Sequence, residues 1–139
     1  MATTRMAKAH WEGTLLEGHG EVALSSSGVA TFPVTWASRA ESPEGRTSPE
    51  ELIAAAHASC YSMALSNILA KAGTPASALD TSVEVDFQAG VGITAIRISV
   101  AGTVEGLDAA GFADAAEDAK LNCPVSKALA AVPITLSVA

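Results

Sequence analysis

The feature that most constrains this chain is a run of 19 residues without Asp, Glu, Lys or Arg, from 52 to 70. Ser48, Pro49 and Glu51 precede it in the order of an N-cap, a first helical residue and a capping-box partner. A glycine and a proline follow Lys71 closely. These signals predict one helix of about 23 residues, roughly 34 Å long, that ends near Lys71.

The uncharged run is close to the length of a membrane-spanning helix. It also contains His57, Asn67 and three serines, however, and alanine supplies much of the remainder. Alanine contributes little to membrane insertion, and the polar side chains oppose it. Because its apolar positions lie all round the helix, we expect a buried, central helix of a soluble protein and no association with a membrane.

The composition predicts one compact domain, residues 1–139, with a core of small side chains. Apolar residues make up 49% of the chain and aromatic residues only 4%, while 29 residues are alanine. Charged residues make up 17%, so part of the apolar material is expected to be buried against a second copy. The net charge of −7 and the scattered basic residues argue against nucleic-acid binding. The opening residues lack the apolar segment of a secretory signal, which predicts a cytoplasmic protein.

The remaining segments predict an α+β fold with the order βββ-α-ββ-αα-β. Alternating apolar residues, β-branched residues and turn signals predict strands at 9–11, 21–24, 28–36, 82–87, 92–104 and 134–138. A polar loop is expected at 38–47, and two further helices at 108–121 and 125–131. Because this order is not a strict βαβ alternation, antiparallel strand pairs are expected, with helices on the sheet faces.

The two cysteines have different settings. Cys60 lies within the long helix, where it is either a buried apolar residue or, with a cation nearby, a reactive thiol. Cys123 precedes Pro124 and is therefore expected to cap a short helix, whose N-terminus favours a thiolate. No C-x-x-C motif is present, so the two can pair only if the fold brings their Cα atoms within roughly 6–7 Å.

Metal binding is not predicted. His57 and Cys60 share a helix face, and His10 and His19 lie near the N-terminus, but no zinc-like spacing joins them. No phosphate-binding loop or nucleophile elbow is present either. We therefore expect neither a metal nor a cofactor.

Three segments together resemble a known family. They are TSPEELIAAAHASCYSMALS at 47–66, NCPVS at 122–126 and AHWEG at 9–13. In this order they resemble the OsmC/Ohr family of thiol peroxidases, most closely its OsmC branch, over essentially the whole chain. The resemblance implies an OsmC-like fold with antiparallel sheets around a long central helix, in an intertwined homodimer. It also implies reduction of organic hydroperoxides, and less effectively of hydrogen peroxide, with an external dithiol as reductant. Lipoyl-type dithiols have that role on the Ohr side of the family.

The resemblance assigns four catalytic residues. Cys60 matches the peroxidatic cysteine and Cys123 the resolving cysteine. Glu50 matches the glutamate of the family's P-E motif, and Arg39 matches the arginine that pairs with it in the OsmC branch. The loop holds a second candidate arginine, Arg46. Since Glu50 and Cys60 are ten residues, or about 15 Å, apart along a straight helix, either the Arg39–Glu50 pair arches back over the helix or it acts on the partner's Cys60.

Two other functions stay open. The chain could be a non-catalytic dimeric stress protein or apolar-ligand-binding protein with idle cysteines. It could also be a metal-binding protein that uses His57 and Cys60, or a redox sensor that a partner recognises in only one redox state.

Overall fold

The computed structural model describes residues 1–139. The chain divides into two compact units, Met1–Glu50 and Glu51–Ala139. Both contain strands and helices, and the α+β class predicted from the sequence is confirmed.

The first unit contains a three-stranded antiparallel sheet, in the order β1-β2-β3. Its elements are β1 (Lys8–Glu12), β2 (His19–Ala23), β3 (Thr31–Val34) and the short helix α1 (Trp36–Ala40). Helix α1 was not predicted, because β-favouring residues run as far as Trp36. A capping box starts it: the hydroxyl of Thr35 accepts the Ser38 N–H, and the hydroxyl of Ser38 accepts the Thr35 N–H, each at 3.0 Å.

The long helix α2 (Pro49–Lys71) starts at the end of the first unit and continues through the second. The second unit also contains β4 (Ala76–Gln88), β5 (Gly92–Val104), α3 (Ala109–Asn122), α4 (Pro124–Ala128) and β6 (Ile134–Val138). The predicted bounds of α2, β5 and β6 are confirmed. Strand β4 starts six residues earlier than its strict alternation indicated, and a bulge between Ala76 and Ala78 interrupts its pairing with β5.

The pairing of the last strand corrects one expectation. Strands β4 and β5 are antiparallel, as expected for consecutive strands joined by a short turn. Strand β6 pairs with β5 in parallel, from Ile96↔Ile134 to Val100↔Val138. The intervening helices α3 and α4 return the chain to the end of the sheet where β5 begins, and such a crossover requires a parallel partner.

The core of the second unit lies on one face of the β4-β5-β6 sheet. Strand β5 presents alternate residues to it, and α2 and α3 pack against them. The buried residues are Ile96, Ile98 and Val100 from β5, Tyr61, Leu65 and Leu69 from α2, and Phe112, Ala116 and Ala119 from α3. Cys123 belongs to the same cluster. Burying these side chains contributes most of the free energy that holds the unit together.

One face of α2 is left exposed in the second unit. Its exposed residues are Ala55, Ala56, Ser59, Met63, Ser66, Asn67 and Ala70. Met63 is 71% exposed. By length and composition α2 could cross a membrane, a property shared by core helices of soluble proteins, and 22% of its most apolar window is buried within this chain. This face therefore has no cover within the second unit.

Candidate active site

Arg39 and Glu50 form a close ion pair within the first unit. The Nη2 atom of Arg39 donates to Oε1 of Glu50 at 2.8 Å, and its Nε atom lies 3.1 and 3.2 Å from Oε1 and Oε2. The carboxylate is almost fully buried, whereas about a third of the guanidinium is exposed. Charge-assisted contacts of this type are stronger than neutral hydrogen bonds and fix the orientation of the guanidinium plane. Of the two arginines left open by the sequence, Arg39 is therefore the one that pairs with Glu50.

The local fold explains how these two side chains meet. Arg39 lies in the last turn of α1, and Glu50 lies in the first turn of α2. The loop between them is fixed at Thr47, whose N–H donates to the carbonyl of Pro33 at 3.1 Å and whose carbonyl accepts the Ser38 hydroxyl at 3.0 Å. The loop therefore returns to the end of β3 and sets the start of α2 beside α1.

The second unit brings the two cysteines together. Cys60 is partly buried in the middle of α2, and Cys123 is fully buried between α3 and α4. Both thiols are free, and the Cys60 thiol lies within hydrogen-bonding reach of the Cys123 thiol. The backbone N–H of Val125, in the first turn of α4, also contacts the Cys60 thiol.

These contacts act on the pKa of Cys60 in opposite directions. Burial raises the pKa of the Cys60 thiol, and the neighbouring Cys123 thiol raises it further. The hydrogen bond from the Val125 N–H lowers the pKa but does not offset the other two effects. These neighbours therefore favour a protonated thiol, so a nucleophilic Cys60 requires a cation.

The setting of Cys123 departs in part from expectation. As predicted, it is the N-cap residue of α4, with Pro124 in the first turn. Its side chain makes no capping hydrogen bond, however. The Cys123 side chain is fully buried, and the N–H of Val125 in the first turn of α4 contacts Cys60 instead. The helix terminus that was expected to favour a Cys123 thiolate thus acts on the other cysteine.

His57 and Ser126 form a contact that the sequence did not predict. Both side chains are buried, and Nε2 of His57 lies 2.7 Å from the Ser126 hydroxyl. Burial lowers the pKa of His57, which favours the neutral imidazole. Its Nδ1 atom is buried and has no hydrogen-bond partner, an arrangement that typically costs about 1–3 kcal/mol. The signals that could have indicated this contact were the spacing of His57 from Cys60 and the serine soon after Cys123.

A metal site is not formed by these residues. No group of three or more His, Cys, Asp or Glu side chains is arranged to hold a metal ion. His57 is instead bonded to Ser126, and Cys60 faces a second thiol. The arrangement is that of a dithiol, with an arginine–glutamate pair as a separate feature.

Comparison with known proteins gives a consistent result. Residues 42–137 match the model of a family described as "OsmC-like protein". The chain is also 40% identical to "Peroxiredoxin OsmC" of Escherichia coli K12 over 134 residues, which are 94% of this chain and 93% of that protein. The chain belongs to the OsmC family. As a member of this family, the protein is an oxidoreductase of the thiol peroxidase class.

Solved structures share the fold of this OsmC-family protein at lower sequence identity. The organic hydroperoxide resistance protein OhrB of Bacillus subtilis matches with a TM-score of 0.71 and 22% identity, over 96% of this chain and 98% of its own. An organic hydroperoxide resistance protein OsmC from Legionella pneumophila matches with a TM-score of 0.71 and 24% identity, over 100% and 98%. An OsmC-like protein of unknown function from Vibrio cholerae matches with a TM-score of 0.75 and 14% identity, over 99% and 100%. The predicted OsmC-like fold is therefore confirmed.

Proposed function

We propose that this protein reduces organic hydroperoxides, and hydrogen peroxide less effectively, with Cys60 as the attacking thiol and Cys123 as the resolving thiol. The observation that carries the proposal is the direct approach of the two thiols in the second unit. The names of its relatives, a peroxiredoxin and organic hydroperoxide resistance proteins, support the same substrate class. Alanine-rich, weakly charged surroundings favour organic over hydrophilic peroxides.

The proposed cycle has three steps. The Cys60 thiolate attacks the outer oxygen of the hydroperoxide, the O–O bond breaks, and the alkoxide takes a proton to leave as an alcohol, which produces a Cys60 sulfenic acid. The Cys123 sulfur then attacks the Cys60 sulfur, and water leaves as the disulfide forms. An external dithiol reduces that disulfide by thiol–disulfide exchange, becomes oxidised itself and restores both protein thiols.

Arg39 and Glu50 have the electrostatic role in this proposal. The guanidinium of Arg39 lowers the pKa of Cys60 and donates to the peroxide oxygens, while Glu50 holds the guanidinium in place through the observed contacts. Since Glu50 and Cys60 are about 15 Å apart along α2, we propose that the pair of one protomer acts on the partner's Cys60. In such a homodimer, the guanidinium of Arg39 from one protomer is the cation that the Cys60 thiol of the other requires.

The exposed face of α2 supports the homodimer. Its small side chains, with Met63 at the centre, recur at the spacing of one helix face. Small residues allow two helices to approach closely, and the low content of charge leaves the face without a strong preference for water. A second copy of α2 packed against this face is the proposed occupant.

The reductant and the compartment complete the proposal. A small dithiol, of the lipoyl type used on the Ohr side of the family, is proposed to reach the disulfide. A cytoplasmic location is proposed because a thiol pair that cycles through a disulfide needs a reducing compartment to be restored. The cycle as proposed needs neither a metal nor a cofactor.

The test is the consumption of cumene hydroperoxide with dithiothreitol as reductant. The wild-type protein is expected to turn over, and Cys60→Ser is expected to be inactive because it lacks the attacking thiol. Equal turnover of the two would overturn the proposal. An inactive wild-type protein whose thiols survive one equivalent of peroxide would favour the alternative, a non-catalytic dimer with idle cysteines.

A further inference from the structure

The hydrogen bond between His57 and Ser126 joins the two segments that carry the thiols. His57 lies one helical turn before Cys60 on α2, and Ser126 lies three residues after Cys123 on α4. The two bonded residues are 69 positions apart in the sequence. Ser126 also directly follows Val125, whose N–H contacts the Cys60 thiol. We refer to this hydrogen bond as the His57–Ser126 link.

The state of the ring follows from its surroundings. Burial favours the neutral imidazole, so only one of the two nitrogens carries a proton. If that proton were on Nδ1, a buried N–H would lack an acceptor, which is rare in folded proteins. We therefore assign the proton to Nε2, which donates to the Ser126 hydroxyl.

Helix α4 is held beside Cys60 by Val125, which packs against the core, and by the His57–Ser126 link. Helix α4 has only five residues, too few to be stable on its own. Its N-cap side chain makes no capping hydrogen bond. The His57–Ser126 link is a short bond between two buried side chains and lies next to both thiols. Its loss would leave α4 held mainly by apolar packing and would loosen the placement of the segment that follows Cys123.

We propose that the His57–Ser126 link is a positioning device that sets how readily Cys60 and Cys123 form their disulfide. His57 and Ser126 act through the placement of α4, and neither of them touches the peroxide. The inference rests on the proposed function in one respect, the use of the Cys60–Cys123 disulfide in the cycle. It gives His57 and Ser126 a role in the thiol chemistry that the family resemblance did not assign to them.

The test measures disulfide formation without peroxide. The purified protein is equilibrated with mixtures of reduced and oxidised glutathione. One protein disulfide forms for each oxidised glutathione that is reduced to two thiols, and mass spectrometry of the alkylated protein gives the equilibrium constant. His57→Asn keeps an amide nitrogen near Nδ1 but cannot reach Ser126. His57→Gln places its amide nitrogen near Nε2 and restores the donor.

The proposal predicts a specific pattern among the variants. In His57→Asn and Ser126→Ala the equilibrium constant for disulfide formation is expected to fall about five-fold, the equivalent of one net hydrogen bond. His57→Gln is expected to remain close to wild type. Ser62→Ala is the matched control, since it removes a 2.8 Å bond from α2 to Thr81 of β4 rather than to α4.

The outcomes separate this proposal from the proposed function. An unchanged constant in both His57→Asn and Ser126→Ala overturns the link, as does an equal fall in Ser62→Ala. A fall confined to the link variants, with rescue by His57→Gln, supports it even if the protein consumes no peroxide. If the fall is confined to the link variants and the protein consumes no peroxide, the positioning role of the link is supported and the peroxidase cycle is contradicted. If the wild-type protein forms no disulfide in any mixture, both proposals are wrong.

Discussion

The thiol of Cys60 lies beside the thiol of Cys123, although more than sixty residues separate them in the sequence. Cys60 comes from the middle of α2, and Cys123 comes from the junction of α3 and α4. One sulfur is partly accessible, and the other is fully buried. This difference in accessibility suits a pair in which the peroxide reacts with Cys60, and Cys123 then reacts only with the Cys60 sulfenic acid.

Removal of the buried thiol is expected to stop the cycle after its first step. In Cys123→Ser, one equivalent of cumene hydroperoxide should oxidise Cys60 to a sulfenic acid that dimedone traps. Excess peroxide should then carry it to the irreversible sulfinic acid, because no second thiol intercepts it. Intact-mass spectrometry distinguishes these products from the wild-type disulfide. Disulfide-linked dimers of the wild-type protein, in place of a disulfide within one chain, would contradict the assignment of Cys123 as the resolving thiol.

Loss of the glutamate is expected to weaken Cys60 as a nucleophile. Glu50→Gln removes the charge that holds the Arg39 guanidinium. Because a nearby cation lowers a thiol pKa by about one to three units, the variant should react at least about ten-fold more slowly at neutral pH. The pH midpoint for alkylation of Cys60 should be higher in Glu50→Gln than in wild type, because it reports the pKa of the thiol. Arg97→Gln is the control, since Arg97 pairs with exposed Glu84 and Asp86. An equal loss of rate in that control would point to a general effect of charge.

The buried imidazole is expected to make stability depend on pH. Because burial lowers the pKa of His57, the unfolded chain binds a proton at a higher pH than the folded protein does. This contribution to the free energy of unfolding is complete above the ordinary histidine pKa and is lost as the pH falls below it. The slope from one such group cannot exceed about 1.4 kcal/mol per pH unit. Urea unfolding between pH 7 and pH 5 should show a shallower slope in His57→Gln, and an identical slope would contradict this account.

A charge on the exposed face of α2 is expected to separate the protomers. Met63→Asp places a carboxylate at a position that is 71% exposed in one chain and central to the proposed dimer contact. Sedimentation velocity should show a dimer for wild type and a monomer for the variant, with loss of peroxide turnover. Val91→Asp, in the turn between β4 and β5, removes a comparably exposed apolar side chain and should remain dimeric. A monomeric, fully active wild-type protein would contradict the composite site.

One glycine of β5 is expected to tolerate no side chain. A Cβ atom at Gly102 would lie 2.7 Å from the Phe112 ring and 2.9 Å from Cδ2 of Leu79. Gly102→Ala should therefore lower the free energy of unfolding by about 1–3 kcal/mol through overpacking. Replacing Phe112 by Leu in the same chain should recover part of that loss, because it opens space on the crowded side. If Gly102→Ala left the free energy of unfolding unchanged, the overpacking argument would be wrong, and α3 would move away easily.

The sequence predicted those parts of the fold that depend on local signals. Pro49 and Gly73 correctly predicted the two ends of α2. The alternation of apolar and polar residues correctly predicted β5 and β6. It missed α1 because the capping partner at its third position is Ser38 rather than the usual Glu or Gln. The parallel pairing of β6 depends on where the crossover returns the chain, which periodicity does not encode.

The candidate site was predictable in its residue types but not in its contacts. The resemblance named Arg39, Glu50, Cys60 and Cys123, and the structure adds the pairing of the first two and the approach of the last two. The exposed face of α2 could not be predicted from its apolar positions, because periodicity does not say whether a face is buried within one chain or against another. The contact between His57 and Ser126 joins residues 69 positions apart and is visible only once the helices are packed.

The crossover between β5 and β6 also determines when the two thiols can meet during folding. Cys123 lies within it, in the stretch 105–133, between two strands that pair with each other in parallel. Parallel pairing across so long a connection closes slowly, because the loop entropy is lost before the contacts form. A nascent chain is therefore expected to bring its two sulfurs together only when this crossover packs against α2, late in folding.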